Sequence, residues 1–401
     1  MPTRDNGPTA IVQWTPYNPL CPHLDCAHTC NPDPQASSQT HPLISQPHDS
    51  TCSPAMESLT KKTIAENSRG MTYTYYTSDP STVNPSQPTL LLVHGFPDEA
   101  YMWDAVVAQL APKGYRLIVP DMLGYAGTSK PTDPSAYRFK HIAADLVDIL
   151  DAEAVGKVVS IGHDWGSAVA QRLYLWHPER VLALVMLNVA YMLPDPENPF
   201  DLAKVNKMME QIFGYPIMAY QEFLASERGP KILREHADRV YLGSHLKGDN
   251  SMRDIFCVPG AIEKFLLSTD DDSSSDLSAV KPYAQNAEVR DRFVQRLQRD
   301  GFDGPVNYYR VFHADTQRLD EIQELTPDRF VVNVPAFYIA CTKDAVCRPE
   351  MIGTPLDKGM LPDFDSLVLD CGHWCPLEMP TEVAEGIDGF VSKKLAGAAT
   401  A

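Results

Sequence analysis

Residues 158–167 read Val158-Val159-Ser160-Ile161-Gly162-His163-Asp164-Trp165-Gly166-Ser167. The first four are a short, mostly β-branched apolar run of buried-strand length, and from Trp165 to Trp176 the apolar spacing becomes helical. Between the two stands Gly-x-Asp-x-Gly. Glycines at those places permit a sharp turn from strand into helix that exposes the central side chain, here Asp164. An ordinary βα turn with Asp164 capping the helix accounts for the same residues, so the flanking sequence has to decide.

Working outward, strands and helices alternate on both sides. Upstream are Met71 to Tyr76, whose Thr and Tyr alternation predicts an edge strand, and Thr89 to Val93, a buried strand. A helical period near Tyr101 to Leu110, a strand Arg116 to Val119 and a helix with Ile142, Leu146, Ile149 and Leu150 on one face follow. Downstream comes Val181 to Leu187. This β-α-β-α-β order predicts an α/β protein with a doubly wound, mostly parallel sheet covered on both faces. From 192 to 325 no buried-strand run occurs, and the segments are helical or loop-like, with a low-complexity stretch from Thr269 to Ser275. The α/β pattern resumes with Pro335 to Ala340, Ser366 to Leu369 and a last helix from Pro380 to Leu395. The expected organisation is therefore a core in two parts, 56–191 and 326–401, with a helical lid inserted at 192–325.

Residues 1–55 stand apart. They hold ten of the 34 prolines and no sustained apolar period, a composition that does not offset the entropy of ordering, so disorder is expected there. Cys21, His23, Cys26, His28 and Cys30 lack the paired C-x2-C units of zinc modules. Met56, where globular sequence begins, is a candidate start. The whole chain of 401 residues carries 34 basic and 52 acidic side chains, a net charge of -18, which argues against nucleic acid or anionic lipid as a partner. No apolar run reaches the roughly 18 to 20 residues of a membrane span. Nine cysteines in no regular framework, with no secretory or peroxisomal signal, predict reduced thiols and a cytoplasmic location. Oligomeric state is left open by the sequence.

Two further residues follow core strands as Asp164 does: Asp344 in Cys341-Thr342-Lys343-Asp344, and His373 in Asp370-Cys371-Gly372-His373-Trp374. Singly, these are a turn aspartate and a loop histidine. Together, in the order carboxylate, acid, base, each beyond a parallel strand, they converge on one end of the sheet. After Thr89 to Val93 comes His94-Gly95-Phe96-Pro97-Asp98, a loop in which the backbone N–H of Phe96 can join that of Trp165 as a two-donor oxyanion hole. A cis Phe96-Pro97 bond is expected. A carboxylate nucleophile displaces a group from saturated carbon and makes an ester, which water then opens with His373 as base and Asp344 holding the imidazole. Ser160 and Ser167 are off the central position, and Asp98 and His163 read as supporting residues.

With these motifs in place, residues 68 to 395 resemble the α/β-hydrolase superfamily and, within it, the soluble epoxide hydrolases. The HGFP loop, the G-x-D-x-G elbow, Lys343-Asp344 and Cys371-Gly372-His373-Trp374 occur in that family's order, and Pro120 to Ser129 is similar to its loop after the third core strand. The resemblance implies hydrolysis of an epoxide to a vicinal diol, with no metal and no cofactor, on a small lipophilic epoxide and water. Tyr220 and Tyr309 sit in segments that resemble the lid motifs carrying paired tyrosines, with Tyr215 and Tyr308 as close rivals; neutral phenols can protonate the ring oxygen. Trp103, Phe213, Phe223 and Trp374 are the expected pocket walls. Haloalkane dehalogenases share the ester chemistry but typically carry Asn where Phe96 stands. A non-catalytic ligand-binding protein of the same fold is the third reading.

Overall fold

The computed structural model describes residues 55–268 and 276–396. The amino-terminal extension with its cysteine and histidine cluster, and the stretch Thr269 to Ser275, lie outside the described residues. Eight strands form one sheet: β1 (Thr60–Ile64), β2 (Tyr73–Thr77), β3 (Thr89–Val93), β4 (Arg116–Pro120), β5 (Val158–His163), β6 (Val181–Leu187), β7 (Ala336–Cys341) and β8 (Phe364–Leu369). Their spatial order is β1-β2-β4-β3-β5-β6-β7-β8; the pairs involving β2 are antiparallel and all others parallel. Because successive side chains alternate across a strand, Leu90 and Leu92 of β3 enter one apolar cluster while Leu91 and Val93 enter the other. A continuous apolar run is what a strand covered on both faces requires.

The helices α1 (Asp104–Leu110), α2 (Phe139–Ala152) and α3 (Trp165–Trp176) belong to the first half of the core. Nine more lie between β6 and β7 among the described residues: α4 (Leu202–Phe213), α5 (Tyr220–Ala225), α6 (Gly229–Glu235), α7 (Ala237–His245), α8 (Ser251–Phe256), α9 (Ala261–Leu267), α10 (Ala287–Asp300), α11 (Asn307–His313) and α12 (Thr316–Glu324). After β7 come α13 (Gly353–Asp357), α14 (Cys375–Glu378) and α15 (Pro380–Leu395). Apolar residues of α2 and α3 share a cluster with Leu91 and Val93, and those of α1 and α15 share one with Leu90 and Leu92. Each pair of helices thus covers one face. Among the described residues, none of the helices is long and apolar enough to cross a membrane.

The expected edge strand requires correction. Met71 to Tyr76 corresponds to β2, which is internal and buried along its length, and the edge is β1, which sequence reading did not find. The polar look of β2 misleads because two of its phenols are satisfied internally: Tyr73 donates to Asp145 at 2.8 Å and Tyr75 to Glu153 at 2.6 Å. β1 carries Lys61 and Lys62 on an exposed strand, a charge pattern that blunts an open sheet edge.

Candidate active site

The sheet places the loops after β3 and β5 side by side, since these strands are adjacent and parallel while their connections run through β4 and back. The elbow between β5 and α3 is as tight as its glycines imply. A Cβ at Gly162 would lie 2.1 Å from the carbonyl oxygen of Gly166, and one at Gly166 would lie 2.2 Å from that of Val93. Asp164 at the apex has φ 55° and ψ -127°, a conformation that costs a non-glycine residue roughly 1–3 kcal/mol and persists where surrounding contacts enforce it. Its Oδ1 accepts the Phe96 N–H at 2.9 Å. Trp165 opens α3 immediately after it. The Phe96-Pro97 bond is cis, and His94 pins this loop, its Nε2 accepting the N–H of Met122 at 2.9 Å.

Asp164, Asp344 and His373 meet at one end of the sheet. His373 Nδ1 lies 2.7 Å from Asp344 Oδ2, and its Nε2 lies 3.4 Å from Asp164 Oδ2. Asp344 is wholly buried, and its other acceptor sites are filled: Oδ1 takes the N–H groups of Val346 and Cys347 at 2.9 Å each, and Oδ2 takes Asn188 Nδ2 at 2.7 Å. Burial pushes both carboxyls up, but the imidazole beside each, with N–H donors, outweighs it and holds both below their ordinary value. For His373 burial acts downward, and the two carboxylates outweigh it, raising the imidazole well above its ordinary value. Each of the three groups thus favours the charged form of its neighbour.

Tyr309 on α11 and Tyr220 on α5 face the elbow from the inserted helices. The Tyr309 ring packs edge-on against Trp165 and Phe96, with centroids 5.1 and 5.4 Å away, and against Tyr220 at 5.9 Å. Burial first, then for Tyr309 the neighbouring phenol and for both the Asp164 charge, raise these hydroxyls well above their ordinary value, so both are neutral donors. The rival tyrosines are spent elsewhere: Tyr308 donates to the Leu123 carbonyl and Tyr215 to that of Ala345, each at 3.2 Å.

Of the expected walls, Trp374 packs on His373 with ring centroids 4.9 Å apart and donates to Asp98 at 3.0 Å, and Phe223 is buried in the apolar cluster that holds Phe96, Trp165 and Tyr309. One needs correction. Trp103 is buried in the other cluster, among α1 and α15, because the helical turn that carries it faces the opposite side of the sheet. Phe213 lies under the Arg348 guanidinium at 5.6 Å, where a cation meets its ring face. A groove of about 720 Å³ runs beside His373 and Trp374, bounded by Ser244, Ser251, Lys281 and Glu378 among others.

Ser160 and Ser167 donate to the carbonyls of Ala170 and Val189, and His163 Nε2 contacts the His373 carbonyl oxygen at 2.8 Å. Three residues at the site were not singled out from sequence. Asn188 follows β6 directly, so a polar residue at a strand end was its available signal. Cys347, three residues after Asp344, has its sulfur within 4.8 Å of a carboxylate oxygen of Asp164 and a ring nitrogen of His373. Arg296 on α10 is buried and donates to the Pro97 carbonyl at 2.7 Å, tying the inserted helices to the loop that carries Phe96.

A family model described as alpha/beta hydrolase fold matches residues 88–380. The chain is 30% identical over 300 residues to mouse bifunctional epoxide hydrolase 2, covering 74% of this chain but 50% of the mouse protein, so it spans about half that relative's length. It is 30% identical over 319 residues to epoxide hydrolase 2 of Siraitia grosvenorii, covering 77% of this chain and 93% of that one. Among solved structures, epoxide hydrolase A of Mycobacterium thermoresistibile is similar with a TM-score of 0.65 at 23% identity, over 83% of this chain and 98% of that one.

Proposed function

Because this chain belongs to the alpha/beta hydrolase fold family, and within it to the epoxide hydrolases, we propose that it converts an epoxide to a vicinal diol through an ester formed on Asp164. The observation that carries the reading is an aspartate at the elbow, one oxygen on the Phe96 N–H and the other toward His373, with two neutral phenols packed above it. A serine there would suit carbonyl substrates; a carboxylate suits saturated carbon.

Asp164 Oδ2 attacks a ring carbon, and the C–O bond breaks as Tyr220 and Tyr309 donate to the departing oxygen. Ester formation removes the negative charge nearest His373. With one of its two counter-charges gone, the imidazolium gives up its proton more readily, and the phenolate can be reprotonated. Neutral Nε2 then takes a proton from water, which adds to the carboxyl carbon of the ester. The resulting oxyanion on Oδ1 is held by the Phe96 N–H together with that of Trp165, and its collapse releases the diol and restores Asp164. Asp344 keeps Nδ1 protonated throughout.

Segment 192–325 serves in this reading as the lid that supplies both phenols, and Phe96, Trp165 and Phe223 favour a lipophilic substrate. Free thiols at Cys257, Cys341, Cys347, Cys371 and Cys375 support a reducing, cytoplasmic compartment. Diol formation from a panel of aryl and alkyl epoxides, with Asp164→Asn as the matched control, tests the proposal. Diol from the parent and none from the variant is the expected result. Halide release from haloalkanes with no diol from any epoxide would overturn it.

A further inference from the structure

Cys347 has no part in that reaction, yet its sulfur, a carboxylate oxygen of Asp164 and a ring nitrogen of His373 all lie within 4.8 Å of one another. Among the described residues this is the one group of three His, Cys, Asp or Glu side chains so arranged. Metal–ligand distances of roughly 2.0–2.3 Å in a tetrahedral site put neighbouring donor atoms about 3.4–3.6 Å apart. The Asp164 Oδ2 to His373 Nε2 separation is 3.4 Å, so those two donors already stand at that spacing. The sulfur needs to close by at most about 1.4 Å to reach that spacing, within reach of a side-chain rotation on a half-buried residue.

The surroundings match a metal-binding imidazole as well. Asp344 holds Nδ1 at 2.7 Å and is itself fixed by Asn188 and two backbone N–H groups. That leaves Nε2 on the side of Asp164, able to ligate once a cation displaces its proton, the carboxylate–histidine arrangement that orients metal ligands. One thiolate, one imidazole and one carboxylate suit a borderline-soft cation and not magnesium or calcium.

The geometry points to a binding site for a thiophilic divalent cation, of the zinc and cadmium class, formed by Asp164 Oδ2, His373 Nε2 and Cys347 Sγ, whose occupation silences the triad. Binding displaces the thiol proton and any proton on Nε2 to solvent, with no change of oxidation state. The silencing rests on the hydrolase reading, since the cation takes the nucleophilic oxygen and the basic nitrogen; the binding itself does not.

The test uses the full chain with no epoxide present, so failure of binding and failure of the hydrolase reading remain distinct. Parent, Cys347→Ala and Cys347→Ser are titrated with cadmium chloride while thiolate-to-cadmium charge-transfer absorbance is followed, and with zinc chloride against a chromophoric chelator. The amino-terminal cysteines contribute the same background to all three chains. The expected result is one cadmium equivalent more in the parent than in either variant, and at least a tenfold loss of zinc affinity for that equivalent. Identical titrations of parent and variants would overturn the site. As a check that needs no variant, zinc should slow alkylation of Cys347 by iodoacetamide, read by peptide mass, whereas magnesium should not; an unchanged rate with zinc would also overturn it.

Discussion

Asp164 occupies strained backbone while its two oxygens face different partners, Phe96 N–H and His373. That division of labour predicts what each substitution arrests. His373→Gln leaves the nucleophile in place but removes the base, so a covalent adduct with the mass of the epoxide should accumulate on the peptide containing Asp164. An unmodified peptide after incubation would move the nucleophile elsewhere. Tyr309→Phe deletes a donor without emptying its packing against Trp165 and Phe96, and single-turnover ring opening should slow by about 100-fold, the usual scale of one acid–base group. An undiminished rate in the Tyr220→Phe, Tyr309→Phe double variant would exclude the phenols as acids. At this scale Asp164, Asp344 and His373 were legible because each follows a strand. Asn188 and Cys347 were not, since their relevance is a contact across about 156 and 26 residues of chain with Asp344 and His373 respectively.

At the scale of elements, the site is a set of strand ends held to tight tolerances. Gly162→Ala sets a methyl carbon 2.1 Å from a backbone oxygen that has no flexible end to swing away. Overpacking against backbone should cost about 3 kcal/mol or more, read as a lowered midpoint in urea; an unchanged midpoint would mean the elbow accommodates a methyl group. The loops after β3 and β4 are joined by Asp121, which accepts the N–H groups of Ala100 and Gly127 at 3.1 and 3.3 Å. Burial, then the Glu99 charge, pushes its carboxyl up to about 7. Its folded value lies above its unfolded one, so the folded chain retains a proton that the unfolded chain has already released, and the stability this group contributes falls as pH rises from about 4 through 7. Asp121→Asn should therefore gain on the parent between pH 5 and pH 8 in urea denaturation. A pH-independent gap between the two would contradict the assignment. The β5 elbow was legible from its glycines. The place of β2 was not, because its phenols look solvent-facing until Asp145 and Glu153 are seen beneath them.

For the molecule as a whole, the inserted helices are tied to the core through ion pairs, one of them buried on both sides. Arg172 on α3 meets Glu321 on α12 at 2.8 Å with both side chains almost wholly buried, and Arg138 before α2 pairs with Asp320. Removing one partner of such a pair strands the other charge in a low-dielectric setting at a cost of roughly 3–5 kcal/mol. Glu321→Ala should accordingly lower the midpoint of unfolding, whereas the surface change Lys204→Ala, whose partner Asp201 is exposed, should leave it within experimental error. Equal effects of the two would indicate that the α3–α12 contact is open to water.

The sequence by itself determined the strands β3 to β8, the run of helices between β6 and β7 and the three residues beyond the strand ends. These are written locally: strand length, helical period and glycines at a turn are properties of adjacent residues. Which tyrosine of each rival pair faces Asp164, which aromatic rings reach the site, and that Asn188 and Cys347 join it, only the tertiary structure decided. Such facts depend on the rotation of a helix about its axis and on which face of the sheet it covers, and packing among distant segments sets both.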